Sequence, residues 1–242
     1  MKVLVVGAAG KMGRAVQAAA SERELTISAT VDQGDDLAAL ATCDVYVDFS
    51  TPAATLAVAR AARATKTAAV IGTTGLGDDA EAALAELARV APIVVAANFS
   101  LGVNLMLGLV RQAARALGPA WDAEVVETHH KLKRDAPSGT ALAIAKAIAA
   151  GHGSNYDEVK RHTRDGDVGP RPRGEIGVAT VRGGDVVGEH TAYFFGTDER
   201  IEISHRATSR GIFASGALVA AAWVVGKPPG RYTMLDVLGL PS

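Results

Sequence analysis

Only one cysteine, Cys43, occurs among the 242 residues. That excludes an intramolecular disulfide framework and fits a reducing compartment. No histidine adjoins Cys43 in sequence, so it reads as a plain buried residue rather than a nucleophile. Charge of one sign is lacking as well: 25 Lys and Arg face 26 Asp and Glu, a formal net charge of −1. No global field points to nucleic acid, and any basic patch must be local. No apolar run reaches the roughly 18 residues of a membrane span, and the one within Met1–Gly7 is too short for a signal peptide. A cytoplasmic protein that meets neither membrane nor nucleic acid is the expectation. Aromatic residues are scarce at 5 %, yet 48 % of the chain is hydrophobic, dominated by Ala and Val. That is enough apolar material for the core of a helix-covered parallel sheet.

A chain of this length holds one large domain or two ordinary ones. Its N-terminal part alternates strand-like with helix-like segments. Lys2–Val6, Leu25–Val31, Asp44–Phe49, Ala68–Ile71 and Ile93–Ala97 read as strands, with Lys11–Glu22, Pro52–Ala64 and Asp78–Val90 as helices between them. Such alternation builds an α/β fold with a Rossmann-like, doubly wound parallel sheet. The pattern then changes. Asn104–Leu117 reads as a helix, Ala123–Thr128 as a strand and Gly139–Ala150 as a helix, followed by the polar stretch Gly151–Pro172. Glu175–Arg182, Glu189–Gly196 and Arg200–Arg206 have β character, with glycine turns at Gly183-Gly184 and Gly196-Thr197-Asp198. This hairpin-like spacing points to an antiparallel or mixed sheet in a second, α+β domain. Phe213–Val225 is a final apolar helix, expected to return to the first domain.

Gly7-Ala8-Ala9-Gly10-Lys11-Met12-Gly13 follows the first strand and opens a helix. Glycine there permits a tight turn and lets the backbone approach a pyrophosphate at the helix N-terminus. The spacing, Gly-x-x-Gly-x-x-Gly, departs from the commoner Gly-x-Gly-x-x-Gly, and a merely tight turn is the alternative. Asp32, at the end of the second strand, can accept hydrogen bonds from ribose hydroxyls. Its carboxylate repels a 2′-phosphate and Gln33 beside it brings no compensating charge, although Lys11 and Arg14 could reach that phosphate. NADH is therefore expected to be used well and NADPH tolerated. Gly72-Thr73-Thr74-Gly75 and Ala96-Ala97-Asn98-Phe99 follow later strands, where a ligand crevice would lie; each is equally readable as a strand-to-helix turn. The implied division is a dinucleotide-binding domain over 1–98, a second domain over 99–212 and a C-terminal return over 213–242.

The densest chemistry lies in Glu127-Thr-His-His-Lys-Leu-Lys-Arg-Asp-Ala-Pro-Ser-Gly-Thr140. Two histidines, two lysines and an arginine precede Ser138-Gly139-Thr140, which should open a helix and so offer backbone N–H groups to an anion. His129 and His130 leave the preceding strand on opposite sides and cannot easily share one task. Adjacent histidines lack zinc-ligand spacing and no cysteine lies near, so no metal is expected. Lys131 and Arg134 read as a solvated face or a subunit contact, and Asp135 carries no assigned chemistry.

These segments together resemble the 4-hydroxy-tetrahydrodipicolinate reductase (dihydrodipicolinate reductase) family of bacterial lysine and diaminopimelate synthesis, essentially end to end. Glu127–Ala141 carries the resemblance most specifically; Val6–Gly13, Gly72–Gly75, Asn98–Asn104 and Arg182–Thr191 add to it. The resemblance implies a homotetramer whose first domain binds NADH or NADPH and whose second binds a small dicarboxylate and forms the subunit contacts. It implies His129 as proton donor and Lys133 as a second donor, with His130, Lys133, Ser138, Gly139 and Thr140 holding substrate. Cofactor contacts would fall on Gly7, Ala8, Ala9, Gly10, Lys11, Met12, Asp32, Gly72, Thr73, Thr74, Ala96, Ala97, Asn98 and Phe99. The family's basic residue after the ribose-binding acid is Gln33 here, and the segment from Asp32 to Asp44 is short for the family.

The residue types suit that chemistry. Reduction of a cyclic conjugated imine needs hydride at one end and a proton at the other. Histidine, with an ordinary pKa of about 6.5, is matched to proton transfer near neutral pH. Lysine can stabilise charge building on nitrogen. The rivals are another two-domain nicotinamide-dependent oxidoreductase and a regulatory protein that senses NAD(H). A sensor needs no proton donor, and no basic stripe or DNA-binding module supports it.

Overall fold

The computed structural model describes residues 1–23 and 25–241. Five strands, β1 (Lys2–Val6), β2 (Thr26–Val31), β3 (Val45–Asp48), β4 (Ala68–Ile71) and β5 (Pro92–Val95), alternate with α1 (Lys11–Ser21), α2 (Pro52–Thr65) and α3 (Asp78–Ala88). Between β2 and β3 the chain makes only a 3-10 turn, Ala38–Thr42, in place of a helix. The helices carry local start signals. Thr51 caps α2 through Ala54 N–H with proline at the first turn, and Asp78, Asp79 and Glu81 complement the positive end of α3.

The next part comprises α4 (Leu101–Leu117), β6 (Asp122–His129), α5 (Gly139–His152), α6 (Tyr156–Val159), β7 (Lys160–Arg161), β8 (Ile176–Arg182), β9 (Gly188–Phe195) and β10 (Arg200–Ala207). The chain ends in α7 (Gly211–Val224), β11 (Gly230–Tyr232) and α8 (Met234–Leu238). Two compact units result: the chain up to Leu101 together with the part from Gly211 onward, and Gly102–Arg210.

In the first unit all six strands run parallel in the order β11-β5-β4-β3-β1-β2. Alternate residues feed two cores. Val3, Val5, Val45 and Val47 pack with α1 and α7, while Leu4, Val6, Tyr46 and Ile71 pack with α2 and α3. Burial on both faces is why these strands read as unbroken apolar runs. The strand order reverses direction between β1 and β3, the kind of switch point where open α/β sheets leave a crevice.

The second unit's sheet is mixed, in the order β10-β9-β6-β8-β7. Here one sequence expectation fails. Gly183-Gly184 does not close a hairpin, because β6 lies between β8 and β9, parallel to the first and antiparallel to the second. Of the two glycine turns, the one at Gly196 joins neighbours, β9 and β10. One face is covered by α5, whose Ile144 and Ile148 pack on Val125, Ile176 and Phe194. Cys43 is half-buried rather than fully buried, and burial pushes its thiol up to about 11.

Candidate active site

In the first unit, the loop after β1 meets the ends of β2 and β3. Gly7 has a left-handed φ of 76°, and a Cβ there would lie 2.8 Å from Phe49 O. A Cβ on Gly13 would fall 2.2 Å from Gly7 O, so α1 can approach β1 only without one. Gly10 caps α1 with no side-chain hydrogen bond, which leaves the helix start to a ligand's oxygens. Ala9 N–H donates to both carboxylate oxygens of Asp32, at 3.2 and 3.1 Å, and Asp32 N–H donates to Asp35 Oδ2 at 2.8 Å. Gly7, Gly10, Asp32, Gln33, Gly34 and Asp35 contribute to the wall of a cavity of about 540 Å³. Phe49, Ser50 and Thr51 line it too, and sequence reasoning passed over them. Among the described residues no Lys or Arg lines this cavity, and Lys11 and Arg14 are exposed.

The remaining residues expected at the cofactor lie on neighbouring strand ends. Asp48, buried at the end of β3, accepts from Ser50 N–H at 2.9 Å, Thr55 Oγ1 at 2.7 Å and Thr73 Oγ1 at 3.1 Å. That carboxylate therefore ties the β3 loop to Gly72-Thr73-Thr74. Burial raises its pKa against these hydrogen bonds. Ala96 N–H continues the β5 ladder onto Ile71 O at 3.1 Å, and Asn98 Oδ1 accepts Ser100 N–H at 2.8 Å. Phe99 is 1 % exposed and packs edge-on to Phe49, so its ring serves the core and only its backbone can face a ligand.

In the second unit, the covered face of β6 carries Ala123, Val125, Glu127 and His129 in alternation, all buried. The row turns from apolar to polar at the strand's end. Glu127 Oε2 contacts His129 Nδ1, and its carboxylate is gripped by Arg182 of β8 through two bonds of 2.9 Å. Glu127 Oε1 also accepts Ser138 N–H at 3.0 Å and Thr180 Oγ1 at 3.2 Å. Burial acts to raise the Glu127 pKa, but the bonds from Arg182, His129 and Ser138 outweigh it and hold it below the usual range. For His129, burial pushes the imidazole below its ordinary value; Glu127 opposes that shift, while Lys133 and Arg182 add to it.

Ser138 caps α5, its hydroxyl accepting Ala141 N–H at 3.1 Å. The same hydroxyl lies 3.1 Å from Nε2 of His190, which stands edge-on to His129 with ring centroids 5.1 Å apart. Gly188, two residues before His190 on β9, sits under the His129 ring: a Cβ there would meet Nε2 at 2.9 Å.

The turn after β6 is held by the β8–β9 loop. His130 N–H donates to Val186 O at 2.8 Å, Lys131 N–H to Gly184 O at 3.2 Å and Gly183 N–H to His129 O at 3.0 Å. Gly183-Gly184 thus shapes the segment instead of forming a hairpin. Lys133 Nζ pairs with Asp135 at 2.9 Å, which gives Asp135 a role the sequence left unassigned. His130 Nε2 lies 3.5 Å from Arg210 Nη2, and Nδ1 is buried with no hydrogen-bond partner among the described residues. Lys131 and Arg134 are exposed. Glu127, Arg182, His190 and Gly188, which the fold gathers around His129, are absent from the sequence-based set. For Glu127 a signal existed: a carboxylate at an inward position of an otherwise apolar row. No metal-binding cluster of His, Cys, Asp or Glu occurs among the described residues.

Two family models span nearly the whole chain. The one described as dihydrodipicolinate reductase, N-terminus, matches residues 1–99, and the one described as dihydrodipicolinate reductase, C-terminus, matches residues 102–238. A 4-hydroxy-tetrahydrodipicolinate reductase of Anaeromyxobacter dehalogenans is 48 % identical, covering 99 % of this chain and 98 % of the relative. The enzyme of the same name from Geobacter metallireducens is 44 % identical, covering 99 % of each. Among solved structures, a dipicolinate-bound dihydrodipicolinate reductase from Paenisporosarcina sp. TG-14 superposes with a TM-score of 0.78 at 24 % identity, covering 98 % of each chain. At that identity it speaks for the fold.

Proposed function

The chain belongs to the dihydrodipicolinate reductase family, and from that premise we propose which of its residues carry the reaction. Its relatives are 4-hydroxy-tetrahydrodipicolinate reductases. It is an oxidoreductase of lysine and diaminopimelate biosynthesis that reduces 4-hydroxy-tetrahydrodipicolinate, by way of dihydrodipicolinate, to tetrahydrodipicolinate. A nicotinamide cofactor, when bound, supplies the hydride.

His129 is the proton donor in this proposal. The observation that carries it is the buried Glu127–His129 contact beside the Ser138 cap of α5. Nδ1 is engaged by the carboxylate, so Nε2 is the atom left to exchange a proton. Lys133 stabilises the charge that develops on the substrate nitrogen and donates to a substrate carboxylate. His130, Ser138, Gly139 and Thr140 bind carboxylate, supported by the positive start of α5. Arg210, next to His130, joins them as a cation absent from the sequence-based set.

For the cofactor, Gly7 to Met12 hold the pyrophosphate and Asp32 the ribose, with Gly72 to Thr74 and Ala96 to Phe99 on the nicotinamide side. NADH is used well and NADPH tolerated. The uncapped α1 and the acidic pair Asp32 and Asp35 support both assignments.

The working protein is a cytoplasmic homotetramer in this reading. Supporting that assembly, the uncovered face of the second sheet carries Val126, Val181, Tyr193 and Phe195, with Val181 47 % and Phe195 37 % exposed. Light scattering should return the tetramer mass; a monomer would sink the assembly.

The test of the chemistry is cofactor oxidation with freshly generated substrate. His129→Gln should lower kcat by about 100-fold with little change in KM. Near-wild-type kcat at saturating substrate would remove His129 from the proton step.

A further inference from the structure

Glu127 is a fully buried carboxylate at the junction of three elements. It touches His129 on its own strand, Arg182 and Thr180 on β8, and the backbone of Ser138 at the start of α5. Directly opposite it on β9 is His190. The groups facing His129 are Glu127, Lys133, Arg182 and His190.

The hydrogen count follows from the ionisation state. An ionised carboxylate only accepts hydrogen bonds, and Glu127 is held ionised by Arg182. The proton shared between Glu127 and His129 therefore belongs to Nδ1. In the neutral ring Nε2 is the bare nitrogen; in the protonated ring Nε2–H is the proton that can leave. That nitrogen lies over Gly188, where any side chain would collide with it.

The other oxygen of the same carboxylate receives the N–H of Ser138. Ser138 is the residue whose hydroxyl caps α5. One side chain thus fixes both the ring that gives the proton and the helix start that receives the anion.

We propose that Glu127, clamped by Arg182, is a positioning residue that sets the tautomer of His129 and locks the proton donor to the carboxylate-binding end of α5. This rests on the reading of His129 as proton donor. Glu127 itself does not touch substrate, and the carboxylate stays ionised throughout. Its part is to keep Nε2 as the exchanging atom and to favour the imidazolium, as a buried acid does beside a catalytic imidazole.

The experiment compares the pH dependence of kcat in wild type, Glu127→Gln and His129→Gln, with ¹⁵N NMR of the His129 ring in the first two. In Glu127→Gln, kcat should fall by at least about 100-fold and KM should change less. The limb along which kcat declines with rising pH should move to lower pH, because the carboxylate that favours the imidazolium is gone. The ¹⁵N spectrum should lose the Nδ1–H form that dominates in wild type. Glu127→Gln strands the Arg182 guanidinium; should it fail to fold, the pair Glu127→Gln with Arg182→Met removes both charges and reads out the same tautomer, while its two effects on the limb oppose each other. If His129→Gln loses kcat by the expected factor while Glu127→Gln keeps the wild-type limb and tautomer, the positioning role is wrong and the proton donor stands. If His129→Gln retains kcat, both are wrong.

Discussion

At the residue scale, cofactor choice turns on what surrounds the 2′ position of the adenosine ribose. Asp32 is held by Ala9 N–H, and Asp35 approaches from the same turn. Neither is answered by a cation in the cavity wall, where Gln33 and Gly34 come between them. A 2′-phosphate entering there meets two carboxylates in a partly desolvated crevice, a cost of at least about 1.4 kcal/mol at an intermediate dielectric. NADH should therefore exceed NADPH in kcat/KM by about 10-fold. Gln33→Arg supplies a guanidinium at the mouth of the cavity and should narrow or invert that ratio. Steady-state kinetics with both cofactors on both proteins decides it; a strong wild-type preference for NADPH would contradict the electrostatic argument.

At the scale of elements, the start of α5 combines a helix cap with the proposed carboxylate site. Ser138 takes Ala141 N–H in its cap and touches His190, while its own N–H goes to Glu127. Ser138→Ala removes the cap and the hydroxyl but keeps the backbone bond. It should lower stability by about 1 kcal/mol and raise KM for substrate more than it lowers kcat. Denaturant melts and Michaelis curves measure the two halves; a fall in kcat alone would count against Ser138 as a carboxylate ligand.

The same element shows what was readable in advance. Ser138 before an apolar run marks a helix start, and α5 begins at Gly139 as that signal implies. The apolar runs of β1, β3, β4 and β5 were equally legible, because burial on both faces leaves little choice of residue. Pairing was not. β6 inserts between β8 and β9, and nothing local in Gly183-Gly184 records that a distant strand intervenes. β11 is short, and its strand character comes from docking on β5. The site divided along the same line: His129, Lys133 and Ser138 stand within one segment, whereas Arg182, Gly188 and His190 reach it only through strand register.

At the scale of the whole molecule, the buried histidines set how the fold tolerates acid. His190 is 5 % exposed, and burial, with His129 nearby, brings its pKa from 6.5 to about 4. The unfolded chain then binds a proton at this site before the folded one does. Stability is full above 6.5 and is lost as pH falls from there to about 4, by about 3 kcal/mol from this residue. His129, His152 and His205 are lowered too and act in the same direction just below 6.5. Glu127 and Glu175, held below the carboxylate range, add their loss at lower pH, while Asp48, raised by burial, opposes them slightly. The fold should therefore weaken well before its carboxylates are protonated. Replacing His190 with Gln keeps a hydrogen-bonding partner for Ser138 and removes the titration, so its melting temperature should vary less than that of wild type between pH 6.5 and 4. Parallel slopes for the two proteins over that range would show that His190 does not govern the acid limb.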